Sequence, residues 1–446
     1  MFIRFIFGVL ILFGVLAFPL SVGHTQLHLA VPEPCQAETA ADLPTLEKRR
    51  QSLETEMAAK KVSIGVKDGE ALPEGDAGVQ ALRKVQESLL QVLFRIECLN
   101  TKQRLEAEEA TARHFAKEVN HAVQVTTYYA TNRDRTGDAD PATYGSKSEP
   151  TFHYGRAIVT IPLTHDPGSI EEPSFWRFER RADPKKHFVL KSVVPLAADA
   201  ARKEISDKLA TSRSKAILVF VHGYNVSFRE SALRTAQLAH DLKFPGLPFF
   251  YSWPSASHLF GYMKDTETAL QAEAVFERLL EDLSQLPASD IYIIAHSMGN
   301  RIVSQALRAR VEQGKGVKHL RELLLAAPDI SVDLFRNVIA PKLAAMQGTR
   351  TTVYASSSDF ALRASNVFHG SGRVGETNSG VFVFPGLETI DASNVSFVTR
   401  AFGHSYIMDS PLLLKDIEAV IQKGAAAGQR DLQPAGKAPN TYWKLR

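Results

Sequence analysis

Two cysteines in 446 residues allow at most one disulfide within the chain, and charge of one sign is scarce: 52 Lys and Arg stand against 49 Asp and Glu, a formal +3. So small a surplus over this length leaves no electrostatic footprint for nucleic acid, and basic clusters interleaved with aromatics are missing too. Also missing are an HExxH pattern and any cluster of His and carboxylates at ligand spacing, so no metal and no cofactor are expected. Long apolar runs are absent apart from Phe5 to Phe18, which falls short of the roughly 20 residues a membrane-spanning helix needs. Arg4 precedes that run, Pro19 breaks it, and Ser21-Val22-Gly23 offers small residues where a signal peptidase reads. Residues 1–23 therefore read as a secretory signal, with a retained inner-membrane anchor as the alternative. The mature chain is then expected to be exported, either periplasmic or secreted, or held facing the periplasm.

What is present is a globular composition, 44% hydrophobic and 23% charged, long enough for a large core and a smaller region. Residues 24–120 form the smaller region. Leu46, Leu53 and Met57 share one stripe of a helix over about Leu43 to Val62. The glycine-rich stretch Ser63 to Gly78 reads as a loop. Beyond it Leu82, Val85, Leu89, Val92, Ile96 and Leu99 alternate spacings of three and four, the seam of a helical hairpin or coiled coil. Such a seam serves packing, and self-association is its expected use. If the helices fold back on each other, Cys35 comes near Cys98, and an oxidising compartment would let them bond; two unpaired thiols are the other reading.

From residue 121 the pattern turns to strands. Val123 to Ala130, Tyr154 to Pro162 and His187 to Pro195 arrive without long helices between them, an antiparallel edge to a mixed sheet; TNRDRTGDADP between the first two reads as a polar turn. From Lys215 strands and helices alternate. Strands at Ala216–Val221, Pro248–Trp253, Asp290–Ile294, Leu320–Ala326 and Thr351–Ala355 are separated by helices near Phe228–Asp241, Thr266–Gln285, Asn300–Gln313 and Val332–Ala345. That alternation predicts a mostly parallel sheet with helices on both faces, its ligands beyond the strands' C-terminal ends. A final helix spans Pro411 to Gln422, and residues 424–446, rich in Ala, Gly, Pro and charge, are expected to be disordered.

The chemistry centres on Ala295-His296-Ser297-Met298-Gly299, between an apolar strand and a helix. Small residues two positions either side of a serine permit the sharp strand-to-helix turn that holds the hydroxyl out as a nucleophile. Val221-His222-Gly223-Tyr224 ends an earlier strand, as does the loop that supplies an oxyanion-hole amide in hydrolases of this architecture; Tyr224 N–H and Met298 N–H are the expected donors. Two acids follow strands: Asp359 after the second strand past the nucleophile, and Asp329 after the first, which could instead cap the next helix. His404 lies just before the final helix, giving the order Ser297, Asp359, His404 of nucleophile, acid and base in an α/β-hydrolase fold. Trp253 and Tyr262 could line an acyl pocket, although core packing accounts for Trp253 equally well.

With these residues named, a resemblance is visible. YYATNR (128–133), YGRAIVTIP (154–162), FVHGYN, YSWPS, IAHSMGN, LLAAPDI and the Ser358-Asp359 and Gly403-His404 pairs occur in this order. They are similar to the bacterial α/β-hydrolases of unknown function, the DUF900 family, grouped with esterases and lipases. The resemblance spans residues 121–423 and implies an esterase-like or lipase-like activity on a small-molecule or lipid ester, without naming it. Ala295 stands where the wider fold more often has glycine. Two other uses of the fold remain open at this point: a catalytically silent envelope scaffold, and an acyltransferase or amidase built on the same residues.

Overall fold

The computed structural model describes residues 43–63, scattered positions from 78 to 99, and residues 122–173, 182–212, 214–256, 262–357, 372–377, 380–394 and 408–446 apart from 438. The signal segment, Cys35, Cys98, Asp359 and His404 lie outside the described residues. In the N-terminal region α1 (Leu43–Ser63) buries Leu43, Leu46 and Leu53 in one cluster with Val85, Leu89, Val92, Leu93, Ile96 and Leu99. The residues at three-and-four spacing are those that leave solvent, because only such a stripe stays on one face of a helix. Among the described residues no helix is long and apolar enough to cross a membrane.

The core is built on one mixed β-sheet. Its strands run β1 (Ala122–Gly137), β2 (Thr143–Pro162), β3 (Val189–Leu196), β4 (Ala216–Val221), β5 (Leu247–Ser252), β6 (Asp290–His296), β7 (Leu320–Ala326), β8 (Arg350–Ala355), β9 (Glu388–Asp391), β10 (Leu432–Ala435) and β11 (Tyr442–Leu445). They join in one sheet in the order β10-β11-β9-β8-β7-β6-β4-β5-β1-β2-β3. From β5 through β4, β6, β7 and β8 to β9 every pairing is parallel, while β1–β2 and β2–β3 are antiparallel. β4 is buried along its whole length. An all-apolar strand such as AILVFV requires cover on both faces. The cover consists of α2 (Ala198–Thr211), α3 (Phe228–Asp241), α4 (Tyr262–Ser284), α5 (Gly299–Glu312) and α7 (Pro411–Lys423). Between β7 and β8 lies the helical run α6, made of Val332–Leu334, a π-helical turn Phe335–Ile339 and Ala340–Ala344.

Two core clusters, one on each face of the sheet, hold Phe249, Tyr251, Ile293 and Leu325 on one side and Phe250, Leu218, Ile294 and Leu324 on the other. Neighbours in sequence fall on opposite faces, the period of two expected of a strand.

Three sequence expectations need correction. The stretch after residue 423 is not a disordered tail: β11 pairs parallel with β9 through Trp443↔Ile390 and Lys444↔Asp391, and Leu432 and Leu445 are buried. Polar composition hid it, because a strand covered mainly from one side needs only alternate apolar residues. The polar stretch after Ala130 is not a turn, since β1 continues through it to Gly137 with Thr131, Asn132 and Arg133 buried. Finally, α6 is capped by Ser331, whose side chain accepts from Leu334 N–H at 3.2 Å, and not by Asp329.

Candidate active site

β6 lies near the middle of the sheet and passes at Ser297 into α5. Ser297 takes a left-handed backbone conformation, φ 50°, in which a non-glycine residue is held only by its surroundings. Those surroundings are specific. Ser297 N–H donates to Ala326 O at 3.0 Å, and Ser297 O accepts from Asn300 N–H at 3.1 Å and Asp329 N–H at 3.3 Å. Asn300 Nδ2 reaches both Ser297 O, at 2.9 Å, and Ala326 O, at 2.8 Å. The turn at the end of β6 is thus bolted to the end of β7. Nothing in the sequence pattern singled out Asn300, although an amide one turn past an elbow serine is the signal that could have.

The loop after β4 is pressed against this turn. A methyl group at Gly223 would lie 2.7 Å from Ser297 Cβ, and one at Gly299 would lie 2.3 Å from His222 O. Any side chain at either position would push the two loops apart, so Tyr224, next in the chain, and Met298, the first residue after the serine, come from segments in contact. Tyr224, Met298 and Ser297 are all buried.

His222 is buried beside the turn. Its ring stacks on Trp253 at 5.1 Å, and its nitrogens contact Gly223 O at 2.7 Å and Trp253 O at 3.1 Å. Burial, with the Arg133 charge adding to it, holds the imidazole well below its usual range. Trp253 is fully buried, packs in the core cluster on one face of the sheet, and donates from Nε1 to His222 O at 2.8 Å. The side chain of Tyr262 lies outside the described residues.

Of the two acids only Asp329 is described. It is buried, and Arg373 Nε lies 3.3 Å from its Oδ1. The segment bearing Arg373 is laced to the end of β7, with Val374 N–H on Ile330 O and Gly375 N–H on Pro328 O, both at 3.0 Å. β8 ends at Ala355, four residues before Asp359, and Ser357 N–H donates to Ser393 Oγ at 2.8 Å. His404 falls in sequence between β9 and α7.

Sequence reasoning missed a second polar cluster. Arg133, on β1, is 1% exposed and reaches the loops after both β4 and β5. Burial lowers its guanidinium to about 10, with Asp265 the first of the charges that oppose the shift, so it stays charged at neutral pH. Asp265, fully buried at the start of α4, accepts from Ser255 Oγ at 2.5 Å and Ala256 N–H at 2.6 Å. Burial raises the Asp265 carboxyl above its usual range, and these bonds together with one from the Asn225 backbone pull it back.

The profile of the family described as "Alpha/beta hydrolase of unknown function (DUF900)" matches residues 197–422. Several solved structures are similar. The hyperthermophilic esterase of the archaeon Pyrobaculum calidifontis shares 12% identity over 84% of this chain and 97% of its own, with a TM-score of 0.30. An esterase from Rhizomucor miehei shares 11% over 72% and 90%, with a TM-score of 0.29. The acylaminoacyl peptidase of Pyrococcus horikoshii shares 11% over 68% and 42%, also at 0.29. At these identities and TM-scores the likenesses decide no question of substrate. No curated protein matches the chain.

Proposed function

The chain belongs to the α/β-hydrolase family of unknown function DUF900, and from that premise we propose that it is a serine hydrolase of the esterase or lipase type, cleaving carboxylic esters through an acyl-enzyme on Ser297. The observation that carries the reading is Ser297 itself. It holds a left-handed conformation at the end of a central strand, with Gly223 against its Cβ. Such a backbone costs about 1–3 kcal/mol, and at the end of a central strand it supports a functional turn.

His404 takes the proton from Ser297 Oγ as that oxygen attacks the acyl carbonyl, and Asp359 orients His404 and stabilises its charged form. The amides of Tyr224 and Met298 hold the oxyanion. The tetrahedral intermediate collapses, the alcohol leaves with the proton from His404, and water repeats the sequence on the acyl-enzyme. No metal or cofactor takes part. Asp329 is the weaker choice of acid because Arg373 lies against it, and a carboxylate already facing a cation does less to stabilise an imidazolium. The small-molecule or lipid ester is met outside the cytoplasm, with Met1 to Gly23 as the export signal and the helices before the core as a self-association element.

Wild-type protein is expected to take up a fluorophosphonate on Ser297 and to hydrolyse members of an acyl-ester chain-length panel, and Ser297→Ala to do neither. Equal hydrolysis by the two proteins overturns the mechanism. Asp359→Asn should lower kcat by about 10⁴-fold, as loss of the orienting acid does in related triads, and Asp329→Asn by less than about tenfold; the reverse ranking moves the acid to Asp329.

A further inference from the structure

We infer that Arg133, in the leading hairpin and outside the stretch matched by the family profile, is a positioning residue that sets the oxyanion loop after β4, with Asp265 as its counterweight. The inference rests on the ester-hydrolase reading of Ser297. Residues 222–226 belong to no strand or helix, yet an oxyanion amide must sit within a few tenths of an ångström of its working position before the reaction begins. Something other than secondary structure has to hold it.

The guanidinium has five N–H groups, and each finds an acceptor. Nε donates to Ser252 Oγ at 2.8 Å, Nη1 to Gly145 O at 2.9 Å and Ser255 O at 3.2 Å, and Nη2 to Val226 O at 2.6 Å. The remaining Nη2 proton faces His222 Nε2 at 3.4 Å. His222 is neutral, so one ring nitrogen donates and the other accepts. With Nδ1–H on Gly223 O, the shorter of its two approaches to a carbonyl, Nε2 is left to receive Arg133, and its approach to Trp253 O then carries no proton; this tautomer is assigned from the network. Arg133 therefore grips the loop at its first residue, His222, and at its last, Val226, with Gly223 and Tyr224 strung between.

The middle of the loop is held from the other side. Asn225 has φ 57°, and its backbone N–H bonds to Asp265. Asp265 also fixes Ser255 and Ala256, and Val226 N–H approaches Ser255 Oγ at 3.4 Å. A buried cation and a buried anion thus meet through Ser255 and frame the loop, both almost fully removed from water. Lysine could not replace the cation, because its three protons diverge from one point and cannot reach five acceptors spread over β2, the loop after β4, and the end of β5 with the loop that follows it.

The test compares wild type with Arg133→Lys, measuring fluorophosphonate labelling of Ser297 and steady-state hydrolysis of an activated ester, with kcat expressed per titrated serine. Misfolded molecules then drop out of the count, and a purely structural role leaves kcat per site unchanged. Expected is a fall in kcat per site and in the labelling constant of about 100-fold, the scale of one lost oxyanion donor, with KM within about threefold. Labelled wild type together with unchanged kcat per site in Arg133→Lys overturns the positioning role and leaves the hydrolase reading standing. Unlabelled wild type overturns both. Where Arg133→Lys does not fold, Asp265→Asn and Ser255→Ala are read in the same way, and wild-type kcat per site in both overturns the inference.

Discussion

Two glycines at the site have no room to vary. In Gly223→Ala the new methyl meets Ser297 Cβ at 2.7 Å, and in Gly299→Ala it meets His222 O at 2.3 Å. Neither obstacle is the far end of a flexible side chain, so backbone must move. Each change should cost about 1–3 kcal/mol in urea unfolding, the usual scale of overpacking. The loss of Ser297 labelling should be larger than that stability loss alone produces, because the segments forced apart are the ones that carry the chemistry. Both glycines and Ser297 were legible in the sequence, since each belongs to a short pattern whose meaning is local. Arg133 was not. Its partners Gly145, Val226, Ser252 and Ser255 lie 12, 93, 119 and 122 residues away, and no periodicity links positions that far apart. Within a run of polar residues a buried arginine looks like a solvated one.

Among the elements, the loop that follows β2 is fastened to the C-terminal end of α3 by a histidine between two carboxylates. His165, with 3% of its side chain exposed, meets Glu171 Oε2 through Nδ1 at 2.9 Å and Asp241 Oδ1 through Nε2 at 2.8 Å. Burial alone would lower it, but the bonds to Asp241 and Glu171 outweigh burial and push it up to about 9 from 6.5. Asp241 and Glu171 are held below their ordinary 3.8 and 4.5, again against burial, chiefly by His165. His240, whose ring lies 5.6 Å from that of His165, is itself lowered by burial and adds no opposing charge near neutrality. The stability from raising His165 is full below pH 6.5 and lost as pH climbs through about 9, while that from the carboxylates is full above about pH 4.5 and lost on acidification below it. His165→Gln should therefore destabilise by about 1–3 kcal/mol near pH 6, and by clearly less at pH 9.5; paired thermal melts at the two values check it. The C-terminal strands were the least legible elements. What anchors them is Arg430, whose buried guanidinium bonds Asp416 Oδ2 at 2.7 Å and Glu388 Oε2 at 2.6 Å, contacts that composition cannot display. Arg430→Met leaves two carboxylates facing each other without a cation, and chemical denaturation should show a loss of about 3–5 kcal/mol. Strand-helix alternation from β4 onward was readable because each apolar run is bounded by polar turns; β9, four residues long, was too short to give a signal.

At the scale of the whole molecule, the stretch matched by the family profile covers β4 to β9 and ends where the sheet does not. β1, β2 and β3 extend it beyond β5, and β11 and β10 extend it beyond β9. A chain cut to residues 197–422 would bare the long sides of β5 and β9, two rows of unpaired amides and carbonyls. It should sediment as aggregate on expression, whereas residues 122–446 should remain in the supernatant. The outermost strands of the complete sheet end the series differently: β3 carries Pro195 and β10 carries Pro434. A proline has no amide proton to offer an incoming strand, which is why natural sheets tolerate it at their rims. An extended peptide or a sister chain laid along either rim thus meets a position that can donate no amide proton, which disfavours β-augmentation of this core.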